Sequence, residues 1–195
     1  MKKKSKDKDK DDDDELISND KFLVKNILFL EDEVEIKEGN KLKKQLLYLI
    51  KEKPKTPLTI YINSYGGDEY IELMITDLMN SYPGKITTIA TGYCMSAATS
   101  IFLMGDERIA FPNTSFMLHK SWWDKEGSVD EHENELVEAK RLMNIYYDLI
   151  KSRTTIKNPE EYLKKDRYIS AVQAKKFNIV TKLLKNKVRK YKWET

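Results

Sequence analysis

The sequence predicts an α/β fold with a largely parallel sheet. Short β-branched and aromatic runs alternate along the chain with longer segments of helical period. Gly, Pro and Asn punctuate the boundaries. Two turns, Asn63-Ser64-Tyr65-Gly66-Gly67 and Gly92-Tyr93-Cys94-Met95-Ser96, each stand where a strand hands over to a helix.

Residues 1–20 alternate lysines with an acidic run, Asp11 to Glu15, and carry too little apolar surface to offset the entropy of ordering. They are expected to form a disordered charged tail, either solubilising or available for electrostatic docking. Order begins near Phe22, and Asn26 to Leu30 reads as a short buried strand. Leu42, Leu46, Leu47, Leu49 and Ile50 predict an amphipathic helix over 37–51, closed by Pro54 and Pro57. Leu58 to Ile62 is a strand, Gly66-Gly67 a turn, and Ile71, Met74, Ile75, Leu78 and Met79 mark a second helix. Pro83-Gly84 ends it, Lys85 to Thr91 forms a strand, and Ser96 to Met104 forms a helix. Two short strands follow, Arg108 to Phe111 and Phe116 to His119, joined by a turn at Pro112-Asn113-Thr114.

A long charged helix is expected from Ser128 to Lys151, acidic early and basic late as the helix dipole favours. Its apolar positions Val129, Leu136, Met143 and Ile150 either join the core or meet another subunit. A strand and helix over 166–182 close the folded domain at 21–184, and 185–195 is a basic C-terminal tail.

At 195 residues, with 40% hydrophobic and 34% charged side chains, the chain suits one soluble, highly charged domain. A net charge of +3 makes no case for nucleic acid. The single cysteine, Cys94, excludes an internal disulfide framework and reads as a small buried residue. No apolar run approaches membrane-spanning length, and the charged N-terminus is not a secretory signal. A cytoplasmic location follows as the expectation. No cluster of metal-ligand spacing stands out, so neither metal nor cofactor is expected.

The chemistry concentrates on a serine at a strand-to-helix turn. A serine hydroxyl needs a nearby base to act as a nucleophile at neutral pH. The chain has two histidines. His132 lies in the charged first turns of the long helix and reads as surface, whereas His119 ends an apolar strand before a loop and is the candidate base for Ser96. Asp166 is the candidate carboxylate. The N–H groups of Gly67 and Ala97 are candidate donors to a developing oxyanion, beside a helix N-terminus.

Four segments in order resemble the proteolytic subunit of the Clp protease, over roughly Phe22 to Leu184: Asn63-Ser64-Tyr65-Gly66-Gly67; Gly92 with Ser96; Phe111-Pro112-Asn113 with Met117-Leu118-His119; and Asp166-Arg167-Tyr168 with Ala171 and Ala174. The resemblance implies a ClpP/crotonase-like spiral of ββα units with a projecting handle helix, here the one from Ser128. It implies a serine endopeptidase that cuts unfolded proteins or peptides, with Ser96 as nucleophile, His119 as general base and Asp166 as orienting carboxylate. It also implies self-association into heptameric rings stacked in pairs around a chamber, with a Clp-type ATPase as candidate partner.

Departures accompany the match. Tyr65 stands where the family has proline, Ala98 where it has glycine, and Trp122-Trp123 where it is smaller and read here as packing residues. A second alignment would set Asp166 on an earlier family aspartate and leave the triad without its carboxylate. The charged N-terminus replaces the short apolar loops through which the family engages its ATPase. Two alternatives therefore stand beside the active peptidase: a catalytically inactive ring subunit, and a coenzyme A-binding hydratase or isomerase of the same spiral fold. The Ser96 and His119 pair argues against the latter, whose chemistry needs no activated serine.

Overall fold

The computed structural model describes residues 21–121 and 128–185. The expectations for the tail at 1–20, for Trp122-Trp123 and for 186–195 lie outside the described residues. A short 3-10 turn at Leu23–Lys25 leads into β1 (Ile27–Val34), α1 (Ile36–Glu52), β2 (Leu58–Gly67), α2 (Glu69–Ser81), β3 (Ile86–Met95) and α3 (Ala97–Leu103). Then come β4 (Glu107–Ala110), β5 (Ser115–Leu118), α4 (Val129–Arg153), α5 (Pro159–Tyr162), β6 (Arg167–Ser170), α6 (Ala171–Lys176) and β7 (Lys182–Leu183).

β1, β2 and β3 lie side by side and parallel, as strand–helix–strand connections require. Leu58, Ile60 and Ile62 of β2 alternate into the core and are fully buried, with β-branched neighbours suited to a pleated surface. β3 then serves two partners in turn. Its first half pairs with β4 through Thr87 to Ala90, and its second half pairs with β5 through Tyr93 to Met95. β6 runs antiparallel to β5, and β7 lies parallel to β4. β4 and β5 thus do not form the hairpin that their short connection would allow; each adds to a different stretch of β3.

β2 and β3 extend past the turns read in the sequence, to Gly67 and Met95, because pairing resumes beyond register shifts after Asp32 and Ile62. These irregularities sit at the carboxyl ends of the strands, where both glycine-bearing turns lie. The helices pack through apolar stripes, with Leu42, Leu46 and Leu49 of α1 and Ile75 and Met79 of α2 buried. α2 starts at Asp68, whose carboxylate accepts from the N–H of Tyr70 at 2.8 Å and of Ile71 at 3.0 Å.

The long helix divides in two. Leu142 and Ile150 in its second half join the buried side chains, while Leu136 and Val137 in its first half are exposed at 52% and 69%. Its apolar positions are therefore core at one end and, among the described residues, exposed at the other. A reciprocal Ser128–Glu131 capping box starts it. Its C-terminal end is tied down by two arginines. Arg153 donates to the carbonyls of Leu103, Met104 and Gly105. Arg108, only 5% exposed, donates to those of Gly105, Arg153, Asn178 and Ile179. Burial, then the neighbouring Arg153, lowers the Arg108 pKa to about 10. Among the described residues no helix is long and apolar enough to cross a membrane.

Candidate active site

Ser96 stands between β3 and α3 with φ 52° and ψ −129°, a conformation that L-residues seldom adopt. The strain is held by the surroundings. Ser96 N–H donates to the Met117 carbonyl at 2.9 Å, and the Thr99 hydroxyl donates to the carbonyls of Cys94 at 3.1 Å and Met117 at 3.2 Å. These bonds fasten the serine turn to β5 two residues before His119. As a result Ser96 Oγ and His119 Nε2 are hydrogen-bonded at 2.7 Å.

The glycine turn of β2 completes this side of the site. A Cβ on Gly66, whose φ is 94°, would lie 2.7 Å from both Ser96 Cβ and the Met95 carbonyl oxygen and 2.9 Å from Ala97 N. Only a glycine lets the two turns approach so closely. Gly92 is held similarly: its φ is 55°, and a Cβ there would meet Asn63 Oδ1 at 2.4 Å. That amide oxygen accepts from Tyr93 N–H at 3.2 Å, joining the two turns. Tyr65 and Tyr93 stack above them with ring centroids 3.9 Å apart. Gly67 shares a groove with Ser96 and His119, and Ala97 lies beside Ser96 as the first residue of α3, where an N–H has no partner within its own helix.

Asp166 is placed differently. In the antiparallel pairing of β5 and β6, Leu118 faces Arg167, so the next register position sets His119 opposite Asp166. Asp166 is nevertheless exposed, and no hydrogen bond joins it to His119 among the described residues. His132 is exposed on α4. Cys94 is fully buried, and burial raises its thiol pKa far above the ordinary value.

Beside Ser96 a narrow cavity of about 40 Å3 opens between α2, α3 and α4. Glu69, Glu72, Ser100, Ser121 and Tyr146 line it together with Ser96 and His119. Glu69 accepts a hydrogen bond from the Ser121 hydroxyl. Burial pushes the Glu72 carboxyl up to about 8; the Ser100 hydroxyl pulls it back, and the nearby Glu69 adds to the rise. Sequence reasoning missed these residues. One signal was available, since Glu72 falls three residues before the buried Ile75, on the stripe that α2 turns inward.

The family model for Clp protease matches residues 10–187. The ATP-dependent Clp protease proteolytic subunit of Ostreococcus tauri is 34% identical over 161 residues, 79% of each chain. That of Deinococcus radiodurans is 28% identical over 170 residues, 84% of this chain and 82% of the relative. Among solved structures, a mutant ClpP1 from Listeria monocytogenes superposes with a TM-score of 0.76 at 26% identity, covering 88% of this chain and 97% of the other.

Proposed function

Because the chain belongs to the Clp protease family, we propose that it hydrolyses peptide bonds through an acyl-enzyme on Ser96. The observation that carries this reading is the 2.7 Å hydrogen bond between Ser96 Oγ and His119 Nε2. In the proposed cycle Oγ–H donates to Nε2, Oγ attacks the substrate carbonyl carbon, and the imidazole takes the hydroxyl proton. The N–H groups of Gly67 and Ala97 bind the oxyanion, where the loss of one donor typically costs about 2.7–4 kcal/mol of transition-state stabilisation. The imidazolium then protonates the departing amine. Water, deprotonated by the same nitrogen, attacks the ester carbonyl and frees Ser96.

Asp166 is the proposed acceptor for His119 Nδ1–H, reached by a side-chain rotation from its position across the β5–β6 ladder. Substrates would be unfolded proteins or peptides lying along the groove of Gly67, Ser96 and His119. The exposed Leu136 and Val137 of α4 give the helix an apolar surface for a neighbouring subunit, consistent with heptameric rings paired face to face. The relatives named above are ATP-dependent, and a Clp-type ATPase is the corresponding candidate partner.

One observation favours a second reading, a catalytically inactive ring subunit: the Asp166 carboxylate is exposed and does not meet His119. Peptidase turnover separates the two. The full chain, assembled as purified, is expected to cleave fluorogenic peptides, and Ser96→Ala is expected to abolish cleavage without altering particle size. Undiminished cleavage by Ser96→Ala would overturn the mechanism, and an inert wild-type assembly would favour the structural subunit.

A further inference from the structure

The cavity beside Ser96 is lined largely by apolar side chains, Leu73, Leu142 and Ile145 among them, yet it also carries the Glu72 carboxyl, which the peptidase reading alone does not account for. It adjoins the nucleophile and the base, so it would receive the substrate side chain immediately before the scissile bond. Glu72 of α2, Ser100 of α3 and Tyr146 of α4 meet in its lining. Among the described residues no lysine or arginine forms an ion pair with Glu72. Ser100, 1% exposed, has its hydroxyl near Glu72 but in no hydrogen bond of ordinary geometry, and the buried Tyr146 hydroxyl has no hydrogen-bond partner among the described residues. Buried polar groups left in this state are uncommon and each is costly.

Resting on the serine-peptidase reading, we propose that this pocket selects a basic, unbranched side chain before the scissile bond, lysine foremost, whose ammonium displaces the Glu72 proton to solvent and takes the carboxylate as its counter-ion. An ammonium carries three donors, and Glu72 gives it a charged acceptor, with the buried Ser100 and Tyr146 hydroxyls close to that carboxyl. An apolar side chain would seal Glu72 away from water without a partner. An acidic one would meet Glu72 and Glu69. A cavity of about 40 Å3 suits a methylene chain better than an aromatic ring or the planar guanidinium fork of arginine. Discrimination of this kind, by hydrogen bonds that only one side chain completes, exceeds what an apolar pocket achieves.

The test uses matched fluorogenic peptides that differ only in that residue: lysine, arginine, norleucine and glutamate. With the full chain, kcat/KM is expected to be at least about tenfold higher for lysine than for norleucine, and lowest for glutamate. In Glu72→Gln the advantage of lysine over norleucine should shrink by about tenfold. Tyr146→Phe, which removes a single oxygen, should shrink it less and gives a second variant if Glu72→Gln folds poorly. Fluorophosphonate labelling of Ser96 in the same samples separates the two levels of the argument. Labelled protein that prefers norleucine overturns the pocket assignment and leaves the peptidase standing. Absence of both labelling and turnover overturns the peptidase reading, and the pocket assignment with it.

Discussion

The contact between Ser96 and His119 exists because two unusual residues permit it. Ser96 accepts a positive φ, and Gly66 presents no side chain to the serine turn, so β2 and β3 can end against one another. Glu72 carries a different cost. Its carboxyl is raised from the ordinary 4.5 to about 8, chiefly by burial. Below the ordinary value both folded and unfolded chains hold this proton. Between the two values the unfolded chain releases it while the folded chain keeps it, so stability falls as pH rises through that window. The loss amounts to about 4 kcal/mol at most, since Glu72 is only partly buried by surface area. Glu72→Gln should therefore flatten the decline in stability from about pH 5 to pH 8, read by urea unfolding at both ends of the window. An unchanged decline would contradict the burial of this carboxylate. Ser96 and His119 were legible in the sequence because each ends an apolar strand and faces a turn. Glu72 was not, because its helical spacing matches core residues and its polar neighbours arrive from α3 and α4, 28 and 74 positions later (100 − 72 and 146 − 72).

At the scale of elements, local periodicity announced the strands and helices that build the sheet, and non-local pairing decided their ends and neighbours. β2 and β3 run on because their partners resume pairing after a register shift, which no local pattern records. β4 and β5 read as consecutive strands joined by a turn, yet each pairs with β3. α5 escaped notice since its four residues are too few to display a period, although Asn158 caps it and Pro159 opens it. The carbonyls at the ends of α3 and α4 converge on Arg108, so this one side chain joins elements that periodicity treats separately. Arg108→Ala would leave the carbonyls of Gly105, Arg153, Asn178 and Ile179 without that donor. The expected cost is about 3 kcal/mol, read as a Tm lower by about 10 °C. A change of less than about 1 kcal/mol would show that water or neighbouring donors replace the guanidinium.

For the whole molecule, the spiral of strands brings three chain segments to one place: the glycine turn after β2, the serine turn after β3 and the histidine after β5. The first half of α4 extends this unit with the apolar side chains of Leu136 and Val137, which the other described residues leave exposed. Family membership and fold follow from the match over most of the chain, while the proposed mechanism rests on Ser96 and His119. The most direct test of that dependence is reaction of the assembled full chain with a fluorophosphonate probe, followed by mapping of the modified peptide. The account predicts a single adduct on Ser96 that disappears in His119→Ala. An assembled particle that resists the probe, or an adduct that persists at full strength without His119, would contradict it.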